Sequence, residues 1–254
     1  MFYQKSLRNI IEMKFDHIII NPPYNKNLHL KILREIIRKN SKVEIVSLEP
    51  VRWLQDPLAE YKKNTDWKKF GDIREKIENL EVIKGDEATK MFGAAFGTDL
   101  GIYHITSKGG FDAEILYNDF IMKYLPKFIE LGSISSLQNG NVKFTFPEIH
   151  GHIGTKDWCE VTSKDWNIAK EVKENGKRHT IKLNSEVEVK NLYDTLFTKF
   201  YKYLILNMRT DQNITGLLNF LPKLPEYIHH WDDKQLYKYF NLTSEEVETI
   251  ENEV

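Results

Sequence analysis

The feature that most restricts the fold of this chain is a strand-like run that ends on two consecutive prolines. Residues 15–20, FDHIII, are rich in residues that favour β-strands, and Asn21, Pro22, Pro23 and Tyr24 follow directly. Neither proline has a backbone N–H, and each one fixes its own φ and restricts the residue before it. The sequence therefore predicts a buried strand followed by a stiff loop that presents carbonyl oxygens and few backbone donors.

The segments after this loop alternate between helix and strand patterns. Apolar residues recur at helical spacing through residues 26–40, and strand-like runs occupy residues 42–50, 80–85 and 100–106. A charged and mostly helical region is predicted for residues 56–79. An order of strand, helix, strand, helix and strand pair is typical of an α/β sheet whose strands are joined by crossover helices.

The sequence changes in character after residues 107–111, SKGGF. Residues 132–154 are rich in glycine, serine and asparagine with short alternating segments, which predicts hairpins. A long helix is predicted for residues 185–207, where apolar residues recur four apart. We therefore divide the chain into an α/β domain over residues 1–110 and a mixed α+β region over residues 111–254.

Two short helices are predicted near the C-terminus from their capping residues. Asp232 with Gln235, and Thr243 with Glu246, each combine a short polar side chain with a Gln or Glu three residues later. In a capping box, each of these two side chains accepts a hydrogen bond from the backbone N–H of the other residue. One helix is therefore expected to begin after Asp232 and another after Thr243.

Composition and charge limit the classes of function. The chain has 36 basic and 37 acidic residues, so it lacks the overall basic excess of many nucleic-acid-binding proteins. A single cysteine, Cys159, excludes an internal disulfide and favours a reducing cytoplasm. No apolar run approaches the ~18 residues of a membrane span, and residues 1–14 have no signal-peptide pattern. His150 and His152 have no further Cys or His at metal-ligand spacing, so we expect a cytoplasmic protein with no membrane segment and no metal site.

The loop from Asn21 to Tyr24 offers hydrogen-bond acceptors and one flat ring to a ligand. It follows the carboxyl end of a strand, which is where open α/β sheets bind their ligands. The Asn21 side-chain carbonyl and the Pro22 backbone carbonyl would accept hydrogen bonds from an exocyclic amino group, while Tyr24 would stack on the ring that carries it. Such hydrogen bonds draw the nitrogen towards tetrahedral geometry and free its lone pair to attack an electrophilic methyl group. The loop is therefore predicted to hold a flipped adenine, with Pro23 also contacting the base.

This loop, with its preceding strand and following helix, resembles the catalytic motif of gamma-type DNA adenine-N6 methyltransferases. It is most similar to the phage and type IIG restriction-modification branch of that family. Residues 43–56, 91–106 and 221–251 resemble further segments of the same branch, so the resemblance covers most of residues 14–253. It implies a partial Rossmann-like methyltransferase sheet in the first domain and a target-recognition region for double-stranded DNA in the second.

The resemblance also implies a role for each residue of the site. Asn21 and the Pro22 carbonyl would hold the adenine amino group, and Tyr24 would stack on the base. Phe96 would close the base from its other face, with Phe92 as the competing candidate. S-adenosylmethionine would donate the methyl group, Asn21 would also contact this cofactor, and transfer would proceed by direct in-line attack without a covalent enzyme intermediate.

The glycine-rich turn with which the family binds S-adenosylmethionine is missing from the sequence. Only 20 residues precede Asn21, none of them glycine, and the first glycine is Gly71. Residues 47–53, SLEPVRW, do not replace the turn, because bulky residues stand where the cofactor needs a close backbone approach. We therefore expect an incomplete cofactor site in a fragment or in one subunit of a split enzyme. The open edge of the sheet would be covered by residues 1–13, a second copy of the chain or a second polypeptide.

The second region is expected to contact DNA through local clusters of charge. Aromatic and basic residues interleave in residues 141–146 and 174–183, and Lys177 and Arg178 follow Gly176 in a turn-like segment that would contact phosphates. A charged, solvated hairpin is the alternative interpretation of this segment. Two other functions stay open: a cofactor-free DNA-binding relative that acts as a specificity or decoy subunit, and an RNA or protein-glutamine methyltransferase, because the same loop accepts any planar amino group.

Overall fold

The structure, a computed structural model, describes residues 15–94, 98–145, 180–208 and 215–254. The chain divides into two compact units, residues 1–116 and residues 117–254. The sequence analysis placed its boundary after residue 110. Each unit has its own sheet and its own set of helices, so the two are described separately below.

The first unit is built around a mixed four-stranded sheet. Its strands are β1 His17–Ile20, β2 Glu44–Pro50, β3 Ile77–Ile83 and β4 Leu100–Ile105. Their order across the sheet is β1-β2-β4-β3, with β1 parallel to β2 and with β4 antiparallel to both of its neighbours. The predicted α/β class is confirmed, since helices and strands alternate along the chain and the four strands form one sheet of mixed orientation.

Short helices connect these strands. They are α1 Leu28–Lys39, α2 Asp66–Lys69, α3 Gly71–Arg74 and α4 Gly85–Phe92, with 3₁₀ turns at Asn25–Asn27 and Ala113–Leu116. The prediction of a mostly helical region over residues 56–79 is wrong for much of that range. Thr65 caps one short helix, and a further single turn ends before β3 begins. The apolar residues at 77, 80 and 83 are buried on β3, so sheet pairing overrides the helical preference of the charged residues around them.

The chain reverses direction between the proline loop and α1 through two left-handed residues. Lys26 has a φ of 48° and Asn27 a φ of 60°. Asn tolerates this region better than most residues because its short polar side chain makes local hydrogen bonds. The Asn27 side-chain nitrogen donates to the Asp66 carboxylate at 2.8 Å, which fixes the start of α1 against α2. The proline loop is therefore constrained by the residues that follow it as well as by its own prolines.

Residues alternate between the two faces of the sheet, as the period of a strand requires. On β2, Ile45, Ser47 and Glu49 are buried, whereas the residues between them are only half-buried. Tyr103 of β4 pairs with Ser47 and is also buried. A cluster on the opposite face, near the carboxyl end of β2, contains Ile83, Ala88 and Leu100, with Tyr24, Leu48 and Ile102 packed against it.

The second unit combines helices with a two-stranded hairpin. Its elements are α5 Asp119–Leu131, β5 Val142–Thr145, β6 Thr180–Leu183, α6 Glu186–Leu196, α7 Lys199–Met208, α8 Asp233–Phe240 and α9 Ser244–Glu253, with 3₁₀ turns at Ile134–Ser136 and Thr215–Asn219. Buried aromatic rings from α5, α7 and α8 meet in its core, and the ring centroids of Phe200 and Phe240 lie 4.7 Å apart. Both predicted capping boxes are confirmed, at Asp232 with Gln235 and at Thr243 with Glu246.

The single helix predicted for residues 185–207 is instead two helices, α6 and α7. The Thr198 hydroxyl donates to the Thr195 carbonyl at 2.7 Å and accepts from the Tyr201 N–H at 3.4 Å. A threonine side chain that bonds to the nearby backbone competes with the helical hydrogen bonds and so favours a break. The break keeps the apolar stripe buried, because Leu196 and Phe200 on its two sides both pack inward.

Candidate functional site

The proline loop lies where β1 ends, at the carboxyl edge of its pairing with β2. Asn21 and Pro23 are exposed, Pro22 is buried, and Tyr24 is half-buried. The structure brings together the first and last residues of the loop, because the Tyr24 hydroxyl oxygen lies 2.7 Å from Asn21 Oδ1. The same hydroxyl lies 3.0 Å from the backbone carbonyl oxygen of Leu48, on β2.

These two contacts determine which atom of Asn21 a ligand would meet. A tyrosine hydroxyl has one proton, so it donates to Leu48 or to Asn21 Oδ1, but not to both at once. The Leu48 carbonyl can only accept. All three groups have a partner when Tyr24 donates to Leu48 and the Asn21 amide, turned by 180°, donates its N–H to the Tyr24 oxygen. In that arrangement the Asn21 carbonyl oxygen faces away from Tyr24 and is free to accept a hydrogen bond from an amino group.

Tyr24 is held in place by packing on several sides. Its ring makes a T-shaped contact with His29, at 5.8 Å between centroids and 84° between planes, and it also packs against the Ile83 cluster. Burial raises the pKa of the Tyr24 hydroxyl, and the nearby Glu49 carboxylate raises it further, so the hydroxyl keeps its proton at neutral pH. Burial lowers the pKa of His29, which keeps this ring neutral. Tyr24 is therefore an uncharged, positioned ring with a hydroxyl available for hydrogen bonding.

Glu49 is a buried carboxyl group beside the loop that the sequence analysis did not select. Ile20 pairs with Ser47, so the residues two positions further along each strand are Pro22 and Glu49. One Glu49 oxygen accepts from the Ser47 hydroxyl, and the other has no partner among the described residues. Burial raises the pKa of this carboxyl group to about 7. The signal that could have identified Glu49 is its place in the strand, because it occupies one of the alternating positions of β2 that are otherwise buried.

Asp99 joins three loops at the carboxyl edge of the sheet. Its carboxylate accepts from the Gln55 amide, the Lys84 ammonium group and the Gly85 N–H, each at 3.0 Å. Its backbone carbonyl accepts from Val51 N–H at 3.2 Å. Burial raises the pKa of Asp99, but these hydrogen bonds outweigh burial, and the pKa lies below its usual value. Asp99 therefore connects the turn after β2 and the start of α4 to the start of β4.

The tryptophan-containing segment after β2 is packed against the sheet. Trp53 is buried, and its indole N–H donates to the Tyr103 hydroxyl at 3.1 Å. Tyr103 in turn donates to the Pro50 carbonyl at 3.0 Å. Val51 is also buried, so the turn has bulky side chains packed inward rather than an open backbone cradle. These residues do not form a glycine-rich cofactor turn.

Several residues selected from the sequence lie outside the described residues: Phe96, Lys177, Arg178, His150, His152 and Cys159. Phe92, the competitor of Phe96, lies at the end of α4 with 48% of its surface exposed. The helix that carries Phe92 also carries Ala88, which belongs to the cluster that Tyr24 packs against. An aromatic side chain is therefore present on the helix beside Tyr24.

The other end of the sheet has a depression of about 490 Å³ on the face that carries Ile19, Val46 and His104. It lies near the amino end of β1 and not at the proline loop. Within residues 15–94, 98–145, 180–208 and 215–254, no three His, Cys, Asp or Glu side chains are grouped as metal ligands. In the same ranges, no helix has the length and apolar character required to cross a membrane.

No protein-family model matches the chain, and searches among curated proteins and among solved structures find no match either. The fold and the geometry of the site are therefore the basis for assigning a function.

Proposed function

We propose that the loop from Asn21 to Tyr24 holds the amino group of an adenine in double-stranded DNA for N6 methylation. The observation that carries this proposal is the exposed Asn21 side chain at the carboxyl end of β1, joined to Tyr24 and followed by two residues without N–H groups. A site rich in acceptors and poor in donors suits an amino group better than a carbonyl or a phosphate. The chain would then be an adenine-specific DNA methyltransferase or one subunit of such an enzyme.

The described residues would bind and activate the nucleophile of the reaction, the adenine amino nitrogen. An adenine amino nitrogen is a weak nucleophile because its lone pair is delocalised into the ring. Hydrogen bonds accepted by the Asn21 and Pro22 carbonyls would favour a pyramidal nitrogen, whose lone pair is available for bond formation. Tyr24 would keep the base in place by stacking, with the hydroxyl anchored at Leu48.

S-adenosylmethionine is the methyl donor that this proposal requires, and the described residues do not form a complete site for it. The turn after β2 has Val51 and Trp53 packed inward. Gly109 and Gly110 follow β4, which is antiparallel to β2, so this glycine pair lies at the opposite edge of the sheet from the proline loop. We therefore propose that residues outside those described, or a second polypeptide, complete the cofactor site.

The exposed edge of β1 supports the proposal of a partner. Among the described residues, β1 pairs only with β2, and 88% of the surface of Ile19 is exposed. An apolar strand with an unpaired edge readily pairs with another chain. A second polypeptide, or a second copy of this chain, would cover this edge.

The test of the function is the substitution Asn21→Ala in the full chain, with Asn25→Ala as the matched control, since Asn25 is a nearby exposed asparagine outside the site. Methyl transfer from labelled S-adenosylmethionine to duplex DNA is measured for the chain alone and with lysate of its source. We expect Asn21→Ala to abolish transfer and to leave the affinity for DNA within about tenfold, because one neutral hydrogen bond contributes only about 0.5–1.5 kcal/mol. Normal methylation by Asn21→Ala would remove the acceptor role from this residue.

A second function is favoured by the incomplete cofactor site: a DNA-binding relative that acts as a specificity or decoy subunit. Binding of duplex DNA without any binding of S-adenosylmethionine, both alone and with lysate, would support this function over methyl transfer. An RNA or a protein-glutamine substrate is distinguished in the same assay, because labelled methyl groups would then appear in RNA or protein.

A further inference from the structure

The hairpin of β5 and β6 places two lysines directly opposite each other. The antiparallel register pairs Lys143 with Lys182, between the pairs Val142 with Leu183 and Phe144 with Ile181. Directly opposed side chains of an antiparallel pair have Cβ atoms about 4.5–5.5 Å apart. The two ammonium groups therefore extend from one small area of the same face.

The backbone holds both lysines on the outer face of the hairpin. Phe144, Ile181 and Leu183 on the other face are 2%, 0% and 4% exposed, so a shift of one residue would bury the lysines. The Lys182 N–H donates to the Leu137 carbonyl at 2.8 Å, so the backbone before β5 supports the far side of β6. The orientation of the lysine pair is thus fixed by the core beneath it.

Gly140, in the turn before β5, lies close to the backbone of β6 and so also fixes the position of β6 and of its lysine. A Cβ added at Gly140 would lie 1.9 Å from the Leu183 carbonyl oxygen, a distance that no side chain tolerates. Only glycine therefore permits this contact between the turn and β6. The contact brings Gln138 alongside Lys182 in a bridge, and the Gln138 side chain donates to the Thr180 carbonyl at 2.9 Å.

The two positive charges have no compensating charge nearby in the described hairpin. Neither residues 137–145 nor residues 180–184 contain an aspartate or a glutamate. In the part of the chain that the structure describes, the ammonium groups of Lys143 and Lys182 make no hydrogen bond or ion pair. The carboxylate of Glu188, after β6, instead accepts from the backbone and side chain of Asn184. Like charges opposite each other destabilise a hairpin, so an anion bound between them would remove a cost that the free protein bears.

We propose that Lys143 and Lys182 form a phosphate-binding pair that contacts the backbone of double-stranded DNA. This inference rests on the proposed function and identifies residues that would hold the substrate. Phosphate contacts from lysines position a protein on the duplex without reading its sequence. Each DNA strand presents one phosphate for every ~3.4 Å of helix axis, so two ammonium groups on flexible side chains that start from neighbouring Cβ atoms can reach successive phosphates. Free inorganic phosphate and a folded acidic protein lack this repeat.

The test measures the affinity of the full chain for a fluorescent 20-base-pair duplex between about 50 and 200 mM salt. Log affinity falls with log salt, and each phosphate contact contributes about 0.9 to the steepness of this fall. Lys143→Gln with Lys182→Gln should therefore make the slope shallower by about 1.8. The loss should be equal for duplexes of unrelated sequence. Lys143→Arg with Lys182→Arg should keep the wild-type slope, because arginine retains the charge.

Lys234→Gln with Lys238→Gln is the matched control, because it removes two charges from exposed lysines on α8 of the same unit, and it should leave the slope unchanged. A double glutamine variant that melts like the wild type and keeps the wild-type slope would overturn the proposal. An equal loss of binding to polyglutamate of the same charge would overturn the assignment to nucleic acid. The same titration in the Asn21→Ala variant separates this proposal from the proposed function, because DNA affinity and methyl transfer are then measured independently.

Discussion

A single proton on the Tyr24 hydroxyl links the two residues that define the loop. It has two neighbouring acceptors, Asn21 Oδ1 at 2.7 Å and the Leu48 carbonyl at 3.0 Å. The partner that it selects determines whether Asn21 presents a carbonyl or an amide N–H to a ligand. In the proposed site Tyr24 would therefore have two roles, as a stacking surface for the base and as the group that orients Asn21.

Glu49 gives the first unit a stability that depends on pH. Its pKa is raised by burial from 4.5 to about 7, so between these pH values the folded state holds a proton that the unfolded state has released. The free energy of unfolding should therefore fall as pH rises through this window, by roughly 3 kcal/mol in total. Urea unfolding at pH 5, 6, 7 and 8 measures this change.

Glu49→Gln is expected to remove this dependence, because the amide keeps an acceptor for the Ser47 hydroxyl and has no proton to release. The variant should resemble the wild type at pH 5 and be more stable than it at pH 8. Glu81→Gln changes an exposed residue of β3, which is separated from β2 by β4, and should leave the pH profile as it is. A wild-type profile that stays flat from pH 5 to 8 would show that Glu49 is ionised throughout in the folded protein.

At the level of elements, the carboxyl edge of the first sheet depends on Asp99. The Gln55 side chain and the Lys84 ammonium group both donate to a carboxylate oxygen of Asp99. Replacement of Asp99 by Asn would place an amide N–H against these donors. We expect Asp99→Asn to lower the free energy of unfolding by about 1–3 kcal/mol at pH 7. Chemical denaturation measures this loss. Asp16→Asn, at an exposed position ahead of β1, is the control, and equal stability of the two variants would contradict a bridging role for Asp99.

The elements also show where sequence reasoning succeeds and where it fails. The runs of β-formers located all four strands of the first unit, but the prediction that the first of them is buried is wrong, because the residues of β1 are exposed or half-buried. The helix predicted for residues 185–207 failed at Thr198, whose hydroxyl bonds to the backbone while the apolar period continues unbroken. Periodicity reports which residues are buried and does not report whether the backbone between them is continuous.

The site was only partly accessible to prediction for a related reason. Asn21 and Tyr24 belong to the same four-residue loop, so a local motif was enough to assign them to one site. Glu49, Asp99 and His29 reach the same edge of the sheet from other segments, and no spacing along the chain indicates that they meet. Long-range pairing brings these residues together, so they could be recognised only once the strand order was known.

For the whole molecule, the edge of β1 is the surface where association is expected. Ile19 is 88% exposed, so Ile19→Lys should change the free energy of unfolding of the isolated chain by less than about 0.5 kcal/mol. A lysine on an edge strand opposes pairing with another strand, so the variant should lose association with a second copy or with a partner polypeptide. Sedimentation velocity on the purified chain, alone and with the partner, measures this association.

Ile115→Lys introduces the same charge at another exposed apolar residue of the first unit and should leave association intact. Restoration of S-adenosylmethionine binding by the partner with the wild-type chain, but not with Ile19→Lys, would identify β1 as the junction of a split enzyme. Unchanged association of Ile19→Lys would place the partner surface elsewhere.

The left-handed turn at Lys26 and Asn27 has a thermodynamic consequence for ligand capture. With two prolines ahead of it and a pinned helix start behind it, the loop has little conformational freedom left to lose. A base that enters such a rigid loop need not induce closure of the loop. Binding would therefore lose little affinity to the entropic cost of ordering the loop. The slow event in substrate capture would then be the opening of the DNA duplex rather than any motion of this loop.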